Sequence, residues 1–147
     1  MDEVLSLLAG PPSLYHAHLE PWPPAVALTS ATPQVTEFVT VYFPTNYSPE
    51  DQKTFDDGIR KFGVVVEGSA QGFLGAVAGW VEEELDLPDS SEKAKAYILL
   101  IGWKSVQAHL DYRETQVFKD NIHYLRGAKD LKTLKIFHVP VKEVKRA

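Results

Sequence analysis

Five histidines, His16, His18, His109, His123 and His138, are the side chains best suited to do chemistry at neutral pH. An imidazole with an ordinary pKa near ~6.5 can exchange a proton there or lend a nitrogen to a metal. His109 comes first, because it falls in a run that reads as a helix capped by Ser105. On that helix Val106, His109, Leu110, Arg113 and Val117 share one face, which sets an imidazole and a guanidinium among apolar neighbours. A polar cavity would satisfy both groups. In such a cavity His109 would serve as general base, and Arg113 or His123 would stabilise developing negative charge.

His16 and His18 alternate on a candidate strand, Leu14 to Leu19, and His138 would join them if the two terminal strands pair. Three imidazoles could hold zinc or iron. His-x-His lacks a further ligand at fixed spacing, however, so no metal and no cofactor is expected. Glu82-Glu83-Glu84 and Asp86 have no cation-loop spacing and read as a solvated loop. Phe38, Tyr42, Trp80, Tyr97, Trp103 and Tyr112 could line an aromatic cavity or simply fill a core. Neither a glycine-rich phosphate loop nor a Gly-x-Ser-x-Gly elbow is present, which argues against nucleotide use and serine hydrolysis.

The chain has 147 residues, 44% of them hydrophobic, enough for one domain with a real core. Its 15 basic and 20 acidic side chains leave a net charge of −5, which disfavours a nucleic-acid partner. The one basic cluster is the C-terminal KEVKRA. The absence of cysteine excludes disulfides, thiolate metal sites and a Cys nucleophile, and cytoplasmic is the default location. Asp2-Glu3 stands where a secretory signal would be basic, and no apolar run approaches membrane-spanning length, so no membrane partner is expected.

The elements that would position these residues begin with a short helix over Asp2 to Ala9, stopped by Gly10-Pro11-Pro12. The candidate strand Leu14 to Leu19 and an extended, proline-rich connection from Pro21 to Gln34 follow, making 1–34 an N-terminal extension to a main domain over 35–147. Val35 to Phe43 reads as a strand with Glu37, Val39, Val41 and Phe43 on one face and Thr36, Phe38, Thr40 and Tyr42 on the other. Ser48-Pro49-Glu50-Asp51 opens a helix carrying Phe55, Ile59, Phe62 and Val66 in one stripe and fraying near Gly63 or Val66. Phe73 to Glu83 holds a second strand, Leu85 to Lys95 a polar loop, and the uncharged run Ala96 to Trp103 a strand covered on both faces. The helix from Ser105 should break near Glu114 to Gln116, restart at Thr115 and end at Gly127, before a last strand from Leu131 to Val141 with Pro140 near an edge.

That order predicts a ferredoxin-like βαββαβ α+β sandwich, an antiparallel sheet with both helices on one face. The other face would be too apolar to leave wet, and a second copy of the chain is the simplest cover for it. A short likeness between Leu7-Leu8-Ala9-Gly10 with Leu14 to His18 and Leu125-Arg126-Gly127-Ala128 with Ile136 to Pro140 suggests an extra N-terminal strand in the sheet.

Gly102-Trp103-Lys104-Ser105, the following helix with His109, and the return strand resemble the antibiotic biosynthesis monooxygenase-like family of dimeric α/β-barrel proteins. The likeness spans Val35 to Val144, and the stretch Gly72 to Trp80, Gly-Phe-x-Gly-Ala-x-x-Gly-Trp, together with Pro21 to Pro24 resembles one subgroup. The resemblance implies a homodimer and a pocket between sheet and helices. It further implies a cofactor-independent oxygenase, or a related acid/base enzyme, acting on an aromatic or polyketide-like substrate. Trp103 matches the family's strand tryptophan and His109 the helix region that supplies a polar group, whereas Leu99 and Ile101 stand where the family has an asparagine. On this reading His109, Arg113 and His123 are the catalytic candidates, and Trp103, Tyr112, Phe38, Tyr42, Trp80 and His138 the substrate-binding ones. The alternative is a non-catalytic ligand-binding or assembly module of the same fold.

Overall fold

The long apolar strand near residue 100 is the centre of the molecule, and each side of it is paired. In a computed structural model of the protein, which describes residues 10–21, 24–28 and 34–141, this strand runs over Lys93–Trp103 as β4. It follows α1 (Ala25–Leu28), β1 (Gln34–Phe43), α2 (Pro49–Ser69), β2 (Phe73–Trp80) and β3 (Leu85–Asp86). After it come α3 (Val106–Arg113), α4 (Gln116–Asn121), α5 (His123–Arg126) and β5 (Thr133–Val141). The sheet order is β2-β4-β1-β5, all antiparallel, with β3 also on β4, so the βαββαβ arrangement is the observed one. Helix Asp2 to Ala9 and the KEVKRA tail lie outside the described residues.

Local signals set the helix starts. Ser48 accepts a hydrogen bond from the Asp51 N–H at 3.0 Å with Pro49 at the first helical position, and Ser105 and Thr115 accept from Ala108 and Phe118 at 3.0 and 3.2 Å. The break between α3 and α4 falls where expected, and Gly127 closes α5. Helix α2 does not fray at Gly63 or Val66 but continues to Ser69. Val66 is buried against the layer that contains Phe62, Trp103 and Tyr112, and this packing outweighs the poor helix propensity of Val64 to Val66.

One face of the sheet carries α2 to α5 over Val39, Val41, Phe43, Tyr97 and Leu99. Phe43 stacks on Tyr47 at 4.3 Å and meets Phe55 edge-on at 4.9 Å, anchoring α2. The opposite face departs from the sequence reading. Its β2–β4 half is not bare: Ala27, Leu28, Ala17 and Leu19 pack there on Val77, Val81, Ala96, Ile98 and Leu100. The proline-rich stretch expected to be extended therefore contains the turn of helix α1, whose Ala27 carbonyl accepts the Thr36 hydroxyl.

Glycines make the seat. A Cβ on Gly102 would stand 2.6 Å from the Val26 carbonyl, and one on Gly79 1.7 Å from that of His18, closer than any side chain tolerates. The expected strand Leu14 to Leu19 is reduced to bridges at Ala17↔Val81 and Glu20↔Ala78, which hold this N-terminal strap along the outer edge of β2. Strand β2 lies at Phe73–Trp80 within the expected stretch, and the polar loop expected over Leu85 to Lys95 contains β3 and the first residues of β4. At the other edge β5 keeps Pro140, which has no N–H to offer. Among the described residues no helix is long and apolar enough to cross a membrane.

Candidate functional site

The most unusual side chain on the helix-covered face is Glu37. It continues the row Val39, Val41, Phe43 on β1 and is 5% exposed, so its carboxyl must find partners inside the protein. Pairing of β1 with β5 sets His138 directly opposite it, and pairing with β4 sets Ile101 on its other side. Trp103, one turn of pleat further along β4, donates its indole N–H to Glu37 Oε2 at 2.9 Å. Helix α3 then lays His109 across them, with Nε2 3.3 Å from Glu37 Oε2 and Nδ1 2.8 Å from His138 Nε2. The His109 ring stacks on Trp103 at 5.1 Å and 21°, which holds its orientation.

Burial pushes the Glu37 carboxyl up to about 7, against the Trp103 N–H and the charges of Arg113 and Arg126. Burial, with His138 and Arg113, holds the His109 imidazole down to about 4. A neutral His109 donates from one ring nitrogen and accepts at the other, so a line of three polar groups runs from half-buried His138, hydrogen-bonded to His109, to buried Glu37, whose Oε2 lies 3.3 Å from His109 Nε2. Such a line can pass a proton inward. The same carboxylate and two imidazoles, whose ligand atoms lie within 4.8 Å of one another, are also the groups that could hold a metal.

Beside this cluster, between α2 and the helix-covered face of β2 and β4, lies a cavity of about 590 Å³. Ile59, Phe62, Val66, Phe73, Leu99 and Ile101 make its apolar part, while Asp56, Arg60, Trp80 and Tyr97 line it further along. Trp80 donates its N–H to Asp56 at 3.1 Å, yet burial still raises the Asp56 carboxyl. Burial, then the Asp56 charge, raises the Tyr97 hydroxyl. The rim includes His18, Glu20 and Pro21 from the strap. Phe73 and Ile101 form the partition: Phe73 meets Trp103 edge-on at 5.9 Å, and Ile101 is the pairing partner of Glu37.

The residues singled out in the sequence therefore fall into separate places. Trp103, His109 and His138 come together, with Tyr112 packed on Trp103 at 6.0 Å and bonded through its hydroxyl to Ser69. Trp80 lines the cavity, whereas Phe38, stacked on Phe137 at 5.0 Å, and Tyr42 lie on the opposite face. Arg113 is exposed and acts on Glu37 and His109 through its charge alone, and exposed His123 is bonded to the Asp120 backbone. Of the helix face expected to turn inward, only His109 is buried. Val106, Leu110 and Val117 are exposed and His109 and Tyr112 face inward, because α3 stops after two turns and cannot carry the stripe to Val117.

His16 and His18 do not meet His138 either; they pair with Glu83 and Glu82 at the β2 edge, the far side of the sheet from β5. Sequence reasoning missed Glu37, Asp56 and Arg60, whereas Tyr97, one of the aromatics expected to line a cavity, does line it. Only Glu37 left a local signal, a lone acid at an inward position of an otherwise apolar strand face.

No protein-family model matches the sequence, and the curated proteins contain no sequence match to it. Solved structures do match its shape. A candidate monooxygenase from Lactobacillus acidophilus aligns over 73% of this chain at 15% identity and a TM-score of 0.50, the match spanning 44% of that larger protein. A dimeric protein of unknown function and ferredoxin-like fold from Bacteroides fragilis aligns over 72% of this chain and 94% of its own, at 8% identity and a TM-score of 0.51. A candidate antibiotic biosynthesis monooxygenase from Bordetella bronchiseptica aligns over 78% of this chain and 98% of its own, at 15% identity and a TM-score of 0.50. The chain thus has the ferredoxin-like fold found in antibiotic biosynthesis monooxygenase-like proteins.

Proposed function

We propose that the protein is a small-molecule enzyme that takes an aromatic, polyketide-like substrate into the cavity and acts on it from the Glu37, His109 and His138 cluster, as an oxygenase or a related acid/base enzyme. The observation that carries this reading is the shared partition. Phe73 and Ile101 face the cavity and are also the neighbours of Trp103 and Glu37, so a flat substrate in the apolar part stops one side chain away from the reactive groups. Asp56, Arg60 and Tyr97 would receive its polar substituents. The description of the Bordetella neighbour as a candidate monooxygenase supports the same class.

The test is a panel of polycyclic phenols, followed by tryptophan fluorescence for binding and by oxygen consumption and product analysis for turnover. Ala78→Phe, which fills the cavity from β2, should weaken binding at least tenfold, and His109→Ala should keep binding and lose turnover. If no phenol binds, or if Ala78→Phe binds them as well as the parent, the reading fails.

A second reading has its own support: Glu37, His109 and His138 are not among the residues lining the cavity, as a non-catalytic ligand-binding module would have it. Binding without turnover throughout the panel would select it. We also propose a homodimer, in keeping with the dimeric Bacteroides neighbour. Phe137 and Val139, 41% and 40% exposed, stand with Phe38 on the half of the second face that the strap leaves open. A specific association would bury about 800 Å² per subunit, and light scattering near 16.4 kDa at micromolar concentration would refute it. The lack of cysteine supports a cytoplasmic location.

A further inference from the structure

The Glu37, His109 and His138 cluster brings one carboxylate and two imidazoles together from β1, α3 and β5, with their ligand atoms all within 4.8 Å of one another. We infer that this cluster is a binding site for a divalent first-row transition metal, of the zinc, cobalt or iron(II) class. Two imidazoles and one carboxylate, leaving further positions open, form a ligand set for these ions.

The spacing suits them. A tetrahedral ion held at ~2.05 Å from each ligand keeps its ligands ~3.3 Å apart. His109 already lies 2.8 Å from His138 and 3.3 Å from Glu37 through different ring nitrogens, and with one ligand atom from each residue the three lie within 4.8 Å of one another, so a small adjustment of the side chains closes them on one ion with the His109 ring still stacked on Trp103.

Two further features belong to a metal site. Ligands in such sites are oriented by outer partners, and Trp103 does this twice, donating its N–H to Glu37 Oε2 and stacking its ring on His109. Access is one-sided: Glu37 and His109 are each 5% exposed while His138 is only half-buried, so the open coordination positions face the β5 edge. The charges of Arg113 and Arg126 reach Glu37, and a metal there would favour an anionic oxygen donor, such as a phenolate, as its remaining ligand.

This inference goes beyond the proposed function and is separable from it, because the metal is titrated without substrate. Full-length protein is stripped with a chelator, dialysed and titrated with cobalt(II) chloride, followed by calorimetry and by the visible d–d absorption. One cobalt per chain is expected, displaced by zinc, with at least a tenfold weaker Kd in His138→Gln and an unchanged Kd in His16→Ala. His138 is half-buried, so that variant keeps the fold; Glu37→Gln, which keeps the shape and one acceptor, serves as an independent check with the same expected weakening. Failure to reach one saturable cobalt per chain overturns the site, and so does cobalt binding as tight as the parent's in both His138→Gln and Glu37→Gln. Cobalt binding with no turnover of any phenol would leave this site standing and remove only the catalytic reading.

Discussion

Replacing Gly79 with alanine should lift the strap off the sheet, and the structure sets the size of the effect. The new Cβ would lie 1.7 Å from the His18 carbonyl oxygen and 2.7 Å from its carbon, where ordinary contact starts at 3.4 Å, so the strap backbone must retreat by about 1.7 Å. It is held there by the reciprocal pair between Glu20 and Ala78, 2.9 Å each, and by the Glu82 N–H to the His16 carbonyl at 2.8 Å. A retreat of that size takes all three beyond hydrogen-bonding distance. At ~0.5 to 1.5 kcal/mol each, and with the packing of Leu19 on the sheet loosened as well, the variant should be about 2 to 4 kcal/mol less stable.

Urea denaturation measures the change, and limited proteolysis should show new cleavage within residues 10–21 while the β1 to β5 body survives. Gly63→Ala is the control: it has open space around its Cβ inside α2 and should gain ~0.5 to 1 kcal/mol. Stability within 0.5 kcal/mol of the parent, with unchanged cleavage of the strap, would show that the strap is not seated on Gly79.

The strap should also respond to pH. Its hydrogen bond and charge contact with Glu83 raise His16 above 6.5, while His16 lowers Glu83, so their attraction is present between the two values, fades as pH rises through the raised imidazole value and fades again in acid as Glu83 protonates. Exchange of the strap amides, corrected for intrinsic rates, should be slower at pH 6 than at pH 8, and His16→Gln should erase the difference. Trp103→Phe takes the indole N–H from Glu37 and leaves a void at a residue 2% exposed, for a loss of about 2 to 4 kcal/mol in denaturant melts; a change under ~1 kcal/mol would contradict the buried hydrogen bond. Ser48→Ala should cost about 1 kcal/mol by removing the cap of α2, and Ser48→Asp should restore it; equal stability of all three would remove the cap from the account.

How much of this was legible in the sequence depended on how far apart the interacting residues lie. The caps at Ser48, Ser105 and Thr115 are contacts within three residues, and the strand and helix order followed from them and from the apolar runs. The site did not follow so easily. Glu37 meets His109 and His138 only after β1 has paired with β5 and α3 has folded over both, an arrangement that no local period encodes. The face of α3 was misjudged because Val106 and Leu110 suggested an i, i+4 stripe, whereas two turns of helix have room to bury only His109 and Tyr112. Gly75 and Gly79 in β2 are likewise explained only by contacts across the fold. Their purpose lies in another segment: a Cβ on Gly75, at φ +143°, would stand 2.6 Å from the Val26 Cβ, and Gly79 lies beneath the His18 carbonyl.

The strap is both a wall against the sheet edge and a rim of the cavity, and those two duties are carried by different parts of it. Its backbone makes the paired bonds with β2, while His18 and Glu20 also line the cavity. If the cavity takes a small molecule, as proposed above, selection can retune what enters by changing His18 or Glu20, with the seating on β2 preserved, because backbone hydrogen bonds are indifferent to which side chain stands above them. A protein that keeps its entrance on a surface segment, apart from its core, can drift towards new ligands by single substitutions that its stability does not resist.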